Sequence, residues 1–277
     1  MSAAEPSKDP SAAASSGQLG ISCKVLVGAK SAANSQDNGI ERRRYCGVYR
    51  TLVVDLDAQA NSTYYLTGLT GDDISVGIAD FFKQTLSSGP AAKKCRAHIV
   101  ETPYDNLHLI TASHELSDLQ PKLEAKFKIN KLRRLLDDIS QDYDRIYIDT
   151  PPAMNFYAFS ALIAADAVLI PFDCDTFARQ ALYQVLAQET ELQADHNESL
   201  AVEGIVINHY VSTTGVHRNL VEELIGEGLP ILPVYLSSSV KMRESHERCL
   251  PLIYLDRHHK LTGQFVDLLH VLEAATE

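Results

Sequence analysis

Two aspartate-bearing segments hold the residue types that could do chemistry. In the first, the apolar run Leu52–Val54 leads into Asp55 and Asp57 and then into the polar stretch Ala58–Thr63, which reads as a loop. In the second, Arg145–Ile148 leads into Asp149, Thr150, Pro151 and Pro152. Short β-branched runs that end in acids are the pattern of buried parallel strands whose C-terminal edge meets a ligand. Two such strand ends can converge on one magnesium–phosphate site, because Mg2+ takes oxygen ligands and keeps several of its waters. Either segment alone is equally well an acidic junction between strand and loop. Both, in this order, point to a shared site.

The elements that must position these acids follow from hydrophobic periodicity. Strands are expected at Cys23–Val27, at Leu52–Asp55, at His98–Val100, Leu107–Thr111 and Arg145–Asp149, and then at Ala167–Phe172, Val202–Asn208 and Ile231–Tyr235. Helices are expected at Ile74–Gln84, Phe156–Ala164, Phe177–Gln193, Val216–Gly226, Ser239–Arg248 and Lys260–Ala274. Pro121–Ser140 reads as one long amphipathic helix. Its inner face would be Leu123, Phe127, Leu132, Leu135, Leu136 and Ile139, and its lysines and arginines would be the solvated face. Strands alternating with helices predict an α/β fold: a single domain, mostly parallel, with helices on both faces of the sheet. Met1–Gly20, rich in Ala, Ser and Pro, is expected to be disordered, and the domain to run from 21 to 277.

Composition narrows the function classes. At 277 residues, 45% hydrophobic and 22% charged, the chain suits one sizeable α/β domain. A net charge of −11 disfavours a broadly basic nucleic-acid surface but leaves room for a local basic patch. The five cysteines are scattered, with no Cys-x-x-Cys, which reads as reduced thiols in a cytosolic protein. The ten histidines show no metal-binding spacing. No apolar run approaches the roughly 20 residues that span a bilayer, and Met1–Gly20 lacks the basic start and apolar core of a signal peptide.

Together these residues carry a family resemblance. Leu52–Thr63 resembles the switch I segment of ParA-type partition ATPases, the deviant-Walker, P-loop NTPase-like relatives of MinD and the nitrogenase iron protein. Tyr143–Pro152 is similar to their Walker B strand and switch II, and Ala164–Phe172 to the strand that follows. Val234–Pro251 resembles their C-terminal segment. The resemblance runs in order from about Thr51 to the end. It implies that ATP is the substrate and Mg2+ the cofactor. It implies that Asp57 orients or activates the attacking water, that Asp55 lies beside the Mg2+ hydration shell, and that Asp149 holds the metal through water. Thr150, Pro151 and Pro152 would sense the γ-phosphate and Asn208 would contact the adenine, though a capping asparagine explains Asn208 equally well. Lys241 and Arg243 would lie near non-specific DNA, or form a solvated helix face. The partners implied are ATP, a second copy of the chain in an ATP-dependent homodimer, non-specific DNA and a ParB-like centromere-binding protein. The location implied is the cytoplasm of a bacterium, at the nucleoid.

One segment departs from the family. A Gly-rich loop with Lys and Thr should follow the first strand, its backbone N–H groups cradling phosphates and its threonine holding Mg2+. Gly28–Tyr49 has neither that motif nor the apolar stripe of a crossover helix, and Lys30-Ser31 lacks the glycines. Read one base later, the codons of Gln36–Glu41 permit Lys-Thr-Thr-Ala-Leu-Asn, and those of Arg42–Gly47 a run of small apolar residues. The stretch 28–49 is therefore read as frameshifted, or else as true degeneration into a pseudo-ATPase that keeps DNA or partner binding. A membrane-bound MinD-like role is disfavoured because Phe265–Glu273 is amphipathic but acidic. An iron–sulfur protein would need cluster cysteines, and a dinucleotide enzyme a Gly-x-Gly-x-x-Gly after the first strand.

Overall fold

The computed structural model describes residues 49–87 and 95–274. The expected strand Cys23–Val27, the segment Met1–Gly20 and all but the last residue of the anomalous stretch 28–49 lie outside the described residues. β1 (Thr51–Asp55) pairs in parallel with β3 (Leu107–Ile110) on one side and with β4 (Arg145–Asp149) on the other. The two-residue β2 (Val100–Glu101) runs antiparallel along β3, so the order is β2-β3-β1-β4. β5 (Ala167–Asp173), β6 (Ala201–Tyr210) and β7 (Ile231–Ser237) form a parallel trio in that order.

The helices are α1 (Asn61–Thr67), α2 (Ile78–Leu86), α3 (Glu115–Ala125), α4 (Lys131–Ile139), α5 (Phe156–Ala164), α6 (Thr176–Asp195), α7 (Gly215–Gly226), α8 (Val240–Glu247), α9 (Leu252–Leu255) and α10 (Lys260–Ala274). Alternation along the strands decides where they sit. Leu52 and Val54, Ile146 and Ile148, Val168 and Ile170, Ile205 and Ile207 share one core with Phe82 of α2, Leu123 of α3 and Leu135 of α4. The opposite pleat of β5 and β6, Leu169 and Val206, packs against Leu252 of α9 and Leu261 and Leu268 of α10. A strand apolar on both pleats needs a cover on both faces, and the fold is accordingly a mixed α/β domain with a mostly parallel sheet.

Five expectations are corrected. The predicted helix Pro121–Ser140 is two helices, α3 and α4, and Pro121 lies inside α3 rather than at a helix start. Phe127 N–H donates to Glu124 O and Lys128 N–H to Leu123 O, both at 3.0 Å, with Phe127 at φ 51°. This is a Schellman stop with phenylalanine at the left-handed position that glycine usually takes, so the apolar period ran straight through it. Phe127, expected inside, is 90% exposed. The stretch after Asp57 is not all loop, since α1 begins at Asn61 after a left-handed Ala60 (φ 54°). The helix expected from Ile74 starts only at Ile78, because Gly77 lies against β3's end: Ile78 N–H donates to Thr111 O (2.9 Å) and the Thr111 hydroxyl to Val76 O (2.7 Å). The strand expected at His98 starts at Val100, after a 3-10 turn at Cys95–His98.

A Cβ at Gly77 would sit 2.4 Å from the Thr111 carbonyl oxygen, whereas one at Gly204 would meet the Leu232 side chain at 2.5 Å. Backbone cannot step aside as a side chain can. Gly77→Ala is expected to lower stability by about 1–3 kcal/mol, more than Gly204→Ala, read as the fall in urea midpoint at unchanged denaturant slope.

Candidate functional site

The site is built on one register pair. Asp55 and Asp149 are the last residues of β1 and β4 and lie directly across from each other, with Leu56 N–H donating to Asp149 O at 2.8 Å. The strands are parallel, so both carboxylates emerge at the same edge of the sheet.

α1 fastens them there. Asp55 is fully buried. Its Oδ2 accepts from Thr63 N–H and from the Thr63 hydroxyl, both at 2.8 Å, and its Oδ1 accepts from Asp57 N–H at 3.0 Å. The Thr63 oxygen in turn accepts from Ala112 N–H (3.0 Å), which leaves its proton for Asp55. The Ser62 hydroxyl hydrogen-bonds Asp149 Oδ2. α1 has no side-chain cap of its own. Asp55 serves as one from eight residues back, satisfying an N–H of the first turn that would otherwise lack a partner.

Asp57 turns the chain between β1 and α1. Its Oδ1 accepts from Gln59 N–H (3.0 Å) and its carbonyl from Ala60 N–H (2.9 Å), an Asx turn that leads into the left-handed Ala60. On the β4 side, Thr150 and Pro151 are buried and Pro152 is exposed. The loop ends where the Asn155 side chain accepts from Tyr157 N–H (3.0 Å) and Ala158 N–H (3.2 Å), capping α5.

The electrostatics are those of crowded negative charge. Burial, and then the neighbouring Asp149 carboxylate, push the Asp55 carboxyl up to about 7 against the lowering pull of its bonds from Thr63 and Asp57. The donor set is oxygen throughout: two strand-end carboxylates with Ser62 and Thr63 beside them. That is hard-cation chemistry of the Mg2+ kind, and a cation brought close would draw the proton off Asp55. Among the described residues no group of three or more His, Cys, Asp or Glu forms a direct metal cage. The three bonds Asp55 already accepts suit contact through water.

The other residues singled out from the sequence lie elsewhere. Asn208, near the end of β6, is the register partner of Asp173 and donates to its Oδ1 at 2.9 Å, beside His209 Nδ1 at 3.2 Å from the same oxygen. Lys241 and Arg243 stand two apart on α8, so they point to different sides of it. Lys241 Nζ is bound to Glu244 Oε2 (2.8 Å), and Glu244 also takes Arg248 (2.9 Å). Ser62 and Thr63 were not found from the sequence. The available signal was a polar Asn-Ser-Thr run just after a turn, the composition of a helix start, without an apolar stripe to confirm it.

α1 also reaches away from the acids. The Tyr65 hydroxyl meets Ser245 Oγ of α8 at 2.7 Å, and Ser245 donates to Leu250 O at 2.6 Å, so Tyr65 is the donor of the first bond. The Tyr65 ring stands edge-on to His246, with centroids 4.9 Å apart.

Three comparisons bear on this geometry. The family model described as an AAA domain matches residues 46–202. The sporulation initiation inhibitor protein Soj of Bacillus subtilis is 26% identical over 221 residues, 79% of this chain and 84% of Soj. The chromosome partitioning protein ParA of Myxococcus xanthus is 29% identical over 209 residues, 75% of this chain and 71% of that protein. Among solved structures, cobyrinic acid a,c-diamide synthase from Mycobacterium smegmatis with bound ADP and magnesium aligns with a TM-score of 0.63 at 25% identity. The alignment covers 73% of this chain and 80% of that one. No helix among the described residues is long and apolar enough to cross a membrane.

The raised Asp55 carboxyl makes stability pH-dependent. The folded chain holds a proton there that the unfolded chain releases near 4, so the favourable contribution is complete below about 4 and disappears as pH rises through about 7. Between pH 4 and pH 8 the loss should approach on the order of 4 kcal/mol. Denaturation midpoints across this range should fall for the native chain and stay flatter for Asp55→Asn, whose amide titrates nowhere in it.

Proposed function

Because the chain belongs to the AAA domain family and is of the ParA/Soj type within the MinD/ParA superfamily, we propose that it is an ATP-driven partition switch. ATP would bind at the C-terminal edge of the parallel strands and close a homodimer. The dimer would hold non-specific DNA, with Lys241 and Arg243 near it, and a ParB-like centromere-binding protein would stimulate hydrolysis and reset the cycle. The setting would be the bacterial cytoplasm, at the nucleoid.

The observation that carries this reading is the side-by-side placement of Asp55 and Asp149 at one sheet edge, each tethered by a hydroxyl of α1. Asp149 would hold magnesium through a water and Asp55 would accept hydrogen bonds from its hydration shell. Magnesium bound there supplies charge neutralisation for the transferring phosphoryl group. Asp57 would orient the attacking water with the carboxylate oxygen that Gln59 N–H does not occupy. Thr150, Pro151 and Pro152 would form the loop that registers the γ-phosphate. Asn208, near the end of β6 in the β5-β6-β7 trio, would contact the adenine.

The sequence itself favours a qualification. A Gly-rich Lys-Thr cradle is not written at 28–38, and that cradle supplies most of the positioning and charge stabilisation in phosphoryl transfer. The chain as it stands would therefore bind Mg-ATP weakly. On the same ground, the second reading is a non-catalytic relative that keeps DNA or partner binding without nucleotide turnover.

Calorimetric titration with Mg-ATP separates these readings. The expected result is binding at least ~100-fold weaker than in a chain whose 28–38 segment is replaced by a Gly-rich Lys-Thr-Thr loop, the scale on which removing one positioned donor acts. Asp149→Ala in the restored chain should remove the magnesium dependence. A restored chain that ignores Mg-ATP would refute the switch. DNA binding unaffected by ATP in both chains would favour the non-catalytic reading.

A further inference from the structure

We propose that the turn joining α3 and α4, Lys122–Arg134, is a docking surface for duplex DNA, its lysines and arginines gripping phosphates while Phe127 lies against the duplex. The proposal rests on the DNA-binding part of the reading above and adds to it a second contact surface, apart from α8.

The first observation is uncompensated charge. Lys122, Lys126, Lys128, Lys131, Arg133 and Arg134 face one acid, Glu124, within this segment, in a chain whose net charge is −11. Among the described residues five other lysines and arginines are paired with carboxylates: Lys83 with Glu115, Arg96 with Asp142, Arg179 with Glu223 and Glu227, Lys241 and Arg248 with Glu244. Among the described residues none of the six forms an ion pair with a carboxylate. Lys126 Nζ donates to the Leu86 carbonyl (3.1 Å) and Arg133 Nη1 to the Ile163 carbonyl (3.3 Å), which holds the side chains without cancelling their charge. Partial burial, and then the nearness of Arg134 and Lys128, pull the Lys131 amine below its ordinary value, as expected where cations crowd one another.

The second observation is Phe127. It is 90% exposed, so it contributes almost nothing to the core, and its φ of 51° is a conformation that a bulky residue occupies at a cost. A glycine would close the same Schellman turn with less strain. An aromatic held out by a strained backbone among cations has the composition of a nucleic-acid contact, where phosphates take the charge and a ring takes a base or sugar face. Charge complementarity favours DNA over a lipid surface. The cations extend over two helices and the turn between them, a track for successive phosphates. One fully exposed ring, with its neighbour Ile129 half-buried, offers little apolar area to insert into a bilayer. On α8 Lys241 and Arg248 are engaged by Glu244, which leaves Arg243 as the arginine there without a carboxylate partner among the described residues.

Fluorescence anisotropy of a labelled random 40-base-pair duplex, titrated with the full chain at several salt concentrations, tests the proposal. Lys126→Glu, Lys128→Glu and Arg134→Glu together should weaken binding at least ~10-fold near 100 mM salt. The slope of log affinity against log salt should fall by about three, roughly one per phosphate contact removed. Phe127→Ala should weaken binding a few-fold and leave that slope unchanged. The corresponding triple glutamine variant and urea midpoints for every variant exclude loss of fold as the cause. If the triple variants keep both affinity and slope while Lys241→Glu with Arg243→Glu abolishes binding, the proposal is overturned and the DNA-binding reading stands. If neither the native chain nor the chain with the restored Gly-rich Lys-Thr-Thr loop, titrated with Mg-ATP present, shows salt-dependent duplex binding, both are overturned. Capture by vesicles carrying about 30% phosphatidylserine, with no duplex binding, would also overturn the proposal.

Discussion

Two carboxylates held edge to edge on neighbouring parallel strands are the constraint from which the rest of the site follows. Their mutual repulsion and the burial of one of them are unfavourable in the folded chain. The structure answers with hydrogen bonds: two from Thr63 and one from Asp57 to Asp55, and one from Ser62 to Asp149. These bonds decide where α1 starts, why the chain passes through a left-handed Ala60, and why a polar run without an apolar face is helical. The remaining imbalance is a deficit of positive charge, which is the condition a magnesium ion would relieve.

Much of the framework was readable because its signal is redundant. β1, β4 and β5 carry both a β-branched run and an acidic or turn-forming end, and α5, α7 and α10 carry full apolar stripes. Those elements lie where periodicity puts them, with ends displaced by one residue at most. The aspartate pair was readable for the same reason, since strand type and strand-end chemistry agreed. Ser62 and Thr63 were not, because their helix is specified by a long-range bond to Asp55 rather than by its own pattern. The α3–α4 break was hidden by a residue that violates local preference. Period and propensity both allowed Phe127 to continue the helix, and only the backbone reversal at that residue removes it from the core. Gly77 shows a third kind of limit, as its importance comes from contact with Thr111, far away in sequence.

Charge is distributed to the same logic as the fold. Among the described residues five lysines and arginines are paired with carboxylates, while the strand ends carry crowded negative charge and the turn around Phe127 a cluster of unpaired cations. The first lacks cations and the second lacks anions. A chain that carries a nucleotide site and a separate polyanion surface would need this segregation, because mixing the two would let each neutralise the other.

α1 is seven residues long, about 10 Å from end to end. Its first turn is tied to the two strand-end acids and its Tyr65 to Ser245, which in turn holds the carbonyl of Leu250 next to a left-handed Cys249. So short a rod has no slack to absorb a displacement at one end. It ties the strand-end acids to Ser245 of α8 through one short element, so the spacing of Asp55 and Asp149 and the position of that serine are fixed by the same seven residues.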